Sequence, residues 1–106
     1  MRLPDNAHPM KTVTLDCREL ALSFDAAKRL ADRLAELLVD DPLLLSWYDR
    51  ERDLEAPGHV SECHAGCGTP GYVDYAVNRG ATVRIDVDGG RFVFCYRPLG
   101  ELTGAG

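Results

Sequence analysis

The stretch SFDAAKRLADRLAELLVDDP, residues 23–42, carries the clearest structural signal in the sequence. Apolar residues recur in it at the spacing of one helix face, and charged residues take the opposite face. Ser23 is suited to cap this helix, and Asp25 falls in the first turn, where the helix dipole favours negative charge. Pro42 disfavours helical geometry at Asp41, so the helix is predicted to end before it. The apolar face consists of Ala27, Leu30, Ala31, Leu34, Leu37 and Leu38.

A strand is predicted on each side of this helix. KTVTLDC (11–17) alternates between apolar and polar residues, which is the period of a half-buried strand. LLLSWY (43–48) is a continuous run that indicates a buried strand. Strand, helix and strand form a βαβ unit, so we expect the two strands to lie side by side and run parallel.

The second half of the chain predicts a short helix. TPGYVDYAVNRG (69–80) offers Thr69 as a cap and Pro70 for the first turn. Gly80 suits the left-handed position that follows a helix. Tyr72 and Tyr75 are interpreted as packing residues of this helix that also line the wall of a pocket.

A hairpin is predicted at the end, in ATVRIDVDGGRFVFCYRPL (81–99). Asp88-Gly89 or Gly89-Gly90 can form its two-residue turn. Either register places the same residues on one face, which we expect to meet both helices. That face consists of Val83, Ile85, Val87, Phe92, Phe94 and Tyr96.

These elements predict one α+β domain over residues 1–106, a two-layer α/β sandwich of order β-α-β-α-β-β. It has a four-stranded mixed sheet with two helices on one face. Residues 1–10 are interpreted as an N-terminal arm, 49–69 as an inserted loop without periodicity, and 101–106 as a tail.

The charge balance excludes some partners. The formal net charge is -5, so the chain lacks the basic footprint that nucleic-acid phosphates require, and binding to anionic membranes is disfavoured. Apolar runs such as residues 43–45 are too short to span a bilayer, and the amino terminus lacks the apolar core of a signal peptide. We therefore predict a cytoplasmic protein, whose thiols stay reduced.

Two segments resemble the TusA-type sulfur-carrier family. TLDCREL (14–20) is similar to that family's opening TLDxRGL strand, and residues 70–97 are similar to its closing helix and hairpin. The closing segment is also similar to a little-studied group of prokaryotic proteins. The resemblance implies a four-stranded mixed sheet under two helices.

The resemblance fails at the position that carries the family's chemistry. The sulfur carriers have a cysteine followed by proline at the start of the first helix, and its thiol becomes a persulfide. Leu22 and Ser23 stand there in this sequence, and leucine has no nucleophile. Glu19 also replaces the family's glycine. A TusA-like domain without the usual sulfur-bearing cysteine is the expectation.

HVSECHAGCGTP (59–70) concentrates the remaining reactive side chains. Its zinc-ligand types are His59, Cys63, His64 and Cys67. Adjacent residues rarely both coordinate one metal, so a zinc site here would have three of these ligands, or His8 or Glu62 would help to complete it. Zinc is the one cofactor that this segment suggests.

A thiol relay is the second hypothesis for this segment. Cys67 precedes Thr69, and the positive end of a helix favours a thiolate. Cys63 would act as the resolving thiol, and His59 or His64 would accept the proton. Such a pair suits persulfide transfer or a redox relay, provided that the two sulfur atoms come within disulfide reach.

A non-catalytic binding or interaction domain is the principal hypothesis. Its partner would be an unknown protein or small molecule, and residues 59–67 would be its active feature. Val93, expected on an exposed sheet face, and a free hairpin edge would also allow a homodimer.

Other candidates have structural interpretations. Cys17 is expected on the inward face of a strand and Cys95 half-exposed on the opposite sheet face. Asp16 and Arg18 are predicted to pair and to fix the turn into the first helix. The run of alternating charges in residues 49–53 indicates a surface salt-bridge patch.

Overall fold

The computed structural model describes residues 10–57 and 71–99. These residues form five strands, two α-helices and a single 3-10 turn at Arg18–Leu20. The strands and helices are β1 (Lys11–Leu15), α1 (Phe24–Leu38), β2 (Pro42–Asp49), β3 (Leu54–Ala56), α2 (Gly71–Asn78), β4 (Val83–Val87) and β5 (Phe92–Pro98).

Helix α1 begins and ends where the sequence predicts. The Ser23 hydroxyl accepts a hydrogen bond from the Ala26 N–H at 3.1 Å, which satisfies one of the free donors of the first turn. The helix ends at Leu38, and Val39 is already extended, with φ of -134°. Asp41, before the proline, has φ of +51° and cannot continue a helix. Capping and termination are therefore local properties of this segment.

The strand order corrects the expectation that β1 and β2 lie side by side. The order is β1-β4-β5-β2-β3, with β1 parallel to β4 and β5 antiparallel to both β4 and β2. The first two strands therefore do run in the same direction, but the β4–β5 hairpin lies between them. The reason is that β5 is apolar on both faces, and a central position with neighbours on both edges buries it fully.

A fifth strand corrects the prediction of four strands and of an unstructured loop from residue 49. β3 turns back along β2, and Trp47 pairs with Ala56. Asp53 has φ of +51° in the connecting turn, a conformation that aspartate tolerates better than most residues. Three residues are too few to show a periodicity, so the sequence pattern gave no sign of this strand.

The two helices lie on opposite faces of the sheet, which corrects the two-layer arrangement. α1 covers the face that carries Ile85 and Phe94. α2 covers the face that carries Val93 and Cys95, where the sequence led us to expect exposed side chains. Both faces are apolar at β5, so each requires a cover, and the molecule has a helix-sheet-helix order of layers.

The hairpin register matches the Gly89-Gly90 alternative. Val87 pairs with Phe92, and the Arg91 N–H donates to the Asp88 carbonyl at 3.3 Å. Both glycines have positive φ, +66° and +91°, as a primed two-residue turn requires. The predicted composition of the α1 face of the hairpin is thereby confirmed.

Candidate functional site

The predicted ligand and thiol residues His59, Cys63, His64 and Cys67 lie outside the described residues. The same holds for the proposed cap Thr69 and for Pro70, His8 and Glu62. The zinc site and the thiol relay therefore stay predictions. Among residues 10–57 and 71–99, no three His, Cys, Asp or Glu side chains lie close enough together to hold a metal ion.

The described residues do fix where this segment leaves and rejoins the fold. β3 ends at Ala56, which pairs with Trp47 of β2. At the start of α2, the carbonyl of Tyr72 accepts a hydrogen bond from the Ser46 hydroxyl at 2.8 Å. Both ends of the segment are thus tied to neighbouring residues of β2. The segment follows β3, and not the end of β2 as the sequence led us to expect.

Two tyrosines form the junction between β2 and α2. The rings of Tyr48 and Tyr72 stack with centroids 5.1 Å apart and planes 11° from parallel. Tyr48 also donates its hydroxyl to the Asp53 carboxylate at 3.1 Å. Burial raises the pKa of Tyr72 to about 12. Tyr72 is therefore a neutral core residue, which agrees with the packing interpretation of this side chain.

Cys95 lies beneath α2 and not on a half-exposed surface. Its side chain is fully buried, and burial raises the pKa of its thiol to about 11. A thiol is nucleophilic as the thiolate, so Cys95 is unreactive at neutral pH. The expectation of half-exposure was wrong because α2 covers this face of the sheet.

Cys17 follows β1 and is half-buried, so it is not the inward core residue that the strand pattern predicted. Its backbone N–H donates to the Asp88 carboxylate at 2.5 Å. The Asp88 N–H in turn donates to the Leu15 carbonyl at 2.8 Å. Asp88 therefore ties the end of β1 to the hairpin turn.

The charge run of residues 49–53 is a surface salt-bridge patch at four of its five positions, as the sequence predicts, but its first residue, Asp49, is buried. The Asp49 side chain is 2% exposed and accepts from Arg52 Nε at 2.5 Å. The same carboxylate accepts the backbone N–H of Glu51 at 3.0 Å. Arg91 then links this turn to the β4–β5 turn, because it donates to Glu51 at 2.6 Å and approaches Asp88 at 3.4 Å.

The paired charges at this end of the sheet serve the fold. Asp16 and Arg18 pair at 2.7 Å, and the hydrogen bond from Arg18 lowers the pKa of Asp16 to about 2. This agrees with the interpretation of the pair as a support for the turn. Leu22 packs against the core and Ser23 caps α1, so the place of the sulfur carriers' cysteine has a structural use here.

A polar groove of about 250 Å³ runs between α1 and the β2 side of the sheet. Lys28 bonds the Asp32 carboxylate at 2.9 Å, and the Tyr96 hydroxyl donates to the same carboxylate at 2.7 Å. Pro42 and Leu44 form its apolar wall. These polar groups already bind one another, so the groove fastens α1 to the sheet.

The flank of α1 opposite the polar groove has exposed leucines. The stripe that α1 buries against the sheet is made of alanines, Ala27, Ala31 and Ala35. Leucines of its predicted apolar face are exposed to solvent instead, with exposed fractions of 83% for Leu37 and 40% for Leu30. A monomer gains little from large apolar side chains in water, so this flank is a candidate interaction surface.

Strand β1 ends the strand order on the same sheet face as this flank of α1. Among residues 10–57 and 71–99, β1 pairs with β4 alone. Val13 and Leu15, on the same sheet face as α1, are only half-buried. We call the surface formed by Val13, Leu15, Leu30, Leu34 and Leu37 the leucine ledge. The sequence pattern did not reveal it, because exposed and buried leucines give the same helical periodicity.

The fold and these surfaces define an α+β domain with a five-stranded mixed sheet between two helices. The chain belongs to the family described as a domain of unknown function, DUF5619, whose model matches residues 10–96. No curated protein matches it. In the part of the chain that the structure describes, no helix has the length and apolar character needed to cross a membrane.

A similar solved structure is that of AF1514, described as a novel non-family-model protein from Archeoglobus fulgidus DSM 4304. The two chains are 29% identical, and the match covers 84% of this chain and 94% of that one, with a TM-score of 0.66. The similarity supports the fold over most of the chain. Neither comparison concerns the TusA-type sulfur carriers, so that resemblance stays a prediction.

Proposed function

We propose that this protein is a small, non-catalytic interaction domain that binds a protein partner through the leucine ledge. The observation that carries the proposal is the exposure of Leu37 and Leu30, 83% and 40%, on the flank of α1 opposite the polar groove. Burying apolar surface stabilises association by about 25 cal/mol per Å². Among the residues that the structure describes, one edge of β1 has no neighbouring strand, and a strand edge offers backbone donors and acceptors that a partner can satisfy.

The paired state of the polar clusters supports the same proposal. The charges of the strand-end turns, through Asp49 and Asp88, bind arginines and backbone N–H groups of the fold. The polar groove likewise uses Asp32 to hold Lys28 and Tyr96. These groups stabilise the scaffold, whereas Leu30 and Leu37 of the ledge are exposed to solvent.

A matched pair of variants tests this function. Leu37→Ser removes apolar surface from the ledge. Leu43→Ser is the control: Leu43 lies on β2, outside the ledge, and is as exposed as Leu30. We expect protein recovered from cells of the source organism to lose its partner with Leu37→Ser and to keep it with Leu43→Ser. Equal recovery with both variants and the wild-type protein would contradict the proposal. Circular dichroism checks that both variants fold.

We propose the segment 58–70 as a second binding feature. The observation that favours it is the closure of its ends on neighbouring residues of β2, through Ala56 and Tyr72. Ala56 and Tyr72 contact consecutive residues of β2, Trp47 and Ser46, so the described residues on either side of the segment lie close together. This geometry favours convergence of its histidines and cysteines, as either zinc binding or thiol exchange requires.

Elemental analysis and thiol titration separate the two chemistries of this segment. A zinc site predicts stoichiometric zinc in the purified protein and its loss in Cys63→Ser and Cys67→Ser. A sulfur carrier or thiol relay predicts purified protein without metal. It also predicts that the pKa of the Cys67 thiol lies below the ordinary value for cysteine and that Cys67 forms a persulfide. Absence of metal together with ordinary thiol reactivity would contradict both the zinc site and the thiol relay.

A further inference from the structure

We draw no further inference here: the strongest candidate, the exposed leucine flank of α1 around Leu30 and Leu37, already carries the proposed function, and nothing in the structure shows what covers it.

Discussion

At the scale of single residues, buried polar groups hold the turns of this protein. Asp88 has φ of +54°, is 6% exposed, and accepts from the Cys17 N–H and from Arg91. Asp49 has the same function in the β2–β3 turn, where it accepts from Arg52. Neither role is visible in the sequence. An aspartate in a turn is usually expected to be exposed, and only the structure shows which donors it binds.

Substitution of Asp88 should destabilise the fold. Asp88→Ala leaves the Cys17 N–H without its acceptor and places alanine at positive φ, so we expect the free energy of unfolding to fall by about 2 kcal/mol. Asp88→Asn keeps an acceptor and tolerates the conformation, so its loss should be smaller. Urea denaturation measures both variants, and equal stability of Asp88→Ala and wild-type protein would contradict the assigned role.

Cys95 should make stability depend on alkaline pH. Its pKa is about 11 in the folded protein and ordinarily 9.0, so the unfolded chain releases the proton first. The free energy of unfolding should therefore fall as pH rises from about 9 to about 11, and Cys95 should have no effect below that range. Denaturation at several pH values in wild-type protein and Cys95→Ala checks this. Tyr72 also has a raised pKa, so some loss of stability at alkaline pH should remain in Cys95→Ala. The same dependence of the free energy of unfolding on pH in both proteins would contradict the contribution of Cys95.

At the scale of elements, local sequence signals were sufficient to predict α1, β2 and the β4–β5 hairpin. They were not sufficient to predict how these elements are arranged in the sheet. Ser23, Pro42 and Gly89-Gly90 act on their immediate neighbours, so their effects could be predicted. The position of the hairpin between β1 and β2 depends on pairing between distant strands. Its sequence signal was the two-faced apolar character of β5, which predicts a central strand with a helix on each side.

The alanine stripe of α1 separates buried from exposed apolar positions on one helix. Ala31 is fully buried against the sheet, so Ala31→Leu should overpack the contact and cost about 1–3 kcal/mol of stability. Leu37→Ala lies on the ledge and should change stability by less than about 0.5 kcal/mol. Thermal unfolding compares the two, and a larger loss for Leu37→Ala would show that the leucine belongs to the core.

At the scale of the whole molecule, one helix covers each face of the sheet, and β1 and β3 are the edge strands among the described residues. The candidate site of the sequence, Cys63, Cys67 and the histidines beside them, lies outside the described residues and remains to be tested. The exposure of Leu30 and Leu37 was not predictable, because buried and exposed leucines give the same helical periodicity in a sequence. The proposed interaction function therefore rests on the assembled surface and not on a sequence motif.

Hydroxyl-radical footprinting of the leucines tests the central claim most directly. It compares the purified protein with the protein recovered together with its partner. The account predicts that Leu30 and Leu37 are modified in the purified protein and protected in the complex, while Leu43 and Leu54 react equally in both. Protection confined to residues 58–70, with the ledge equally reactive in both samples, would contradict it.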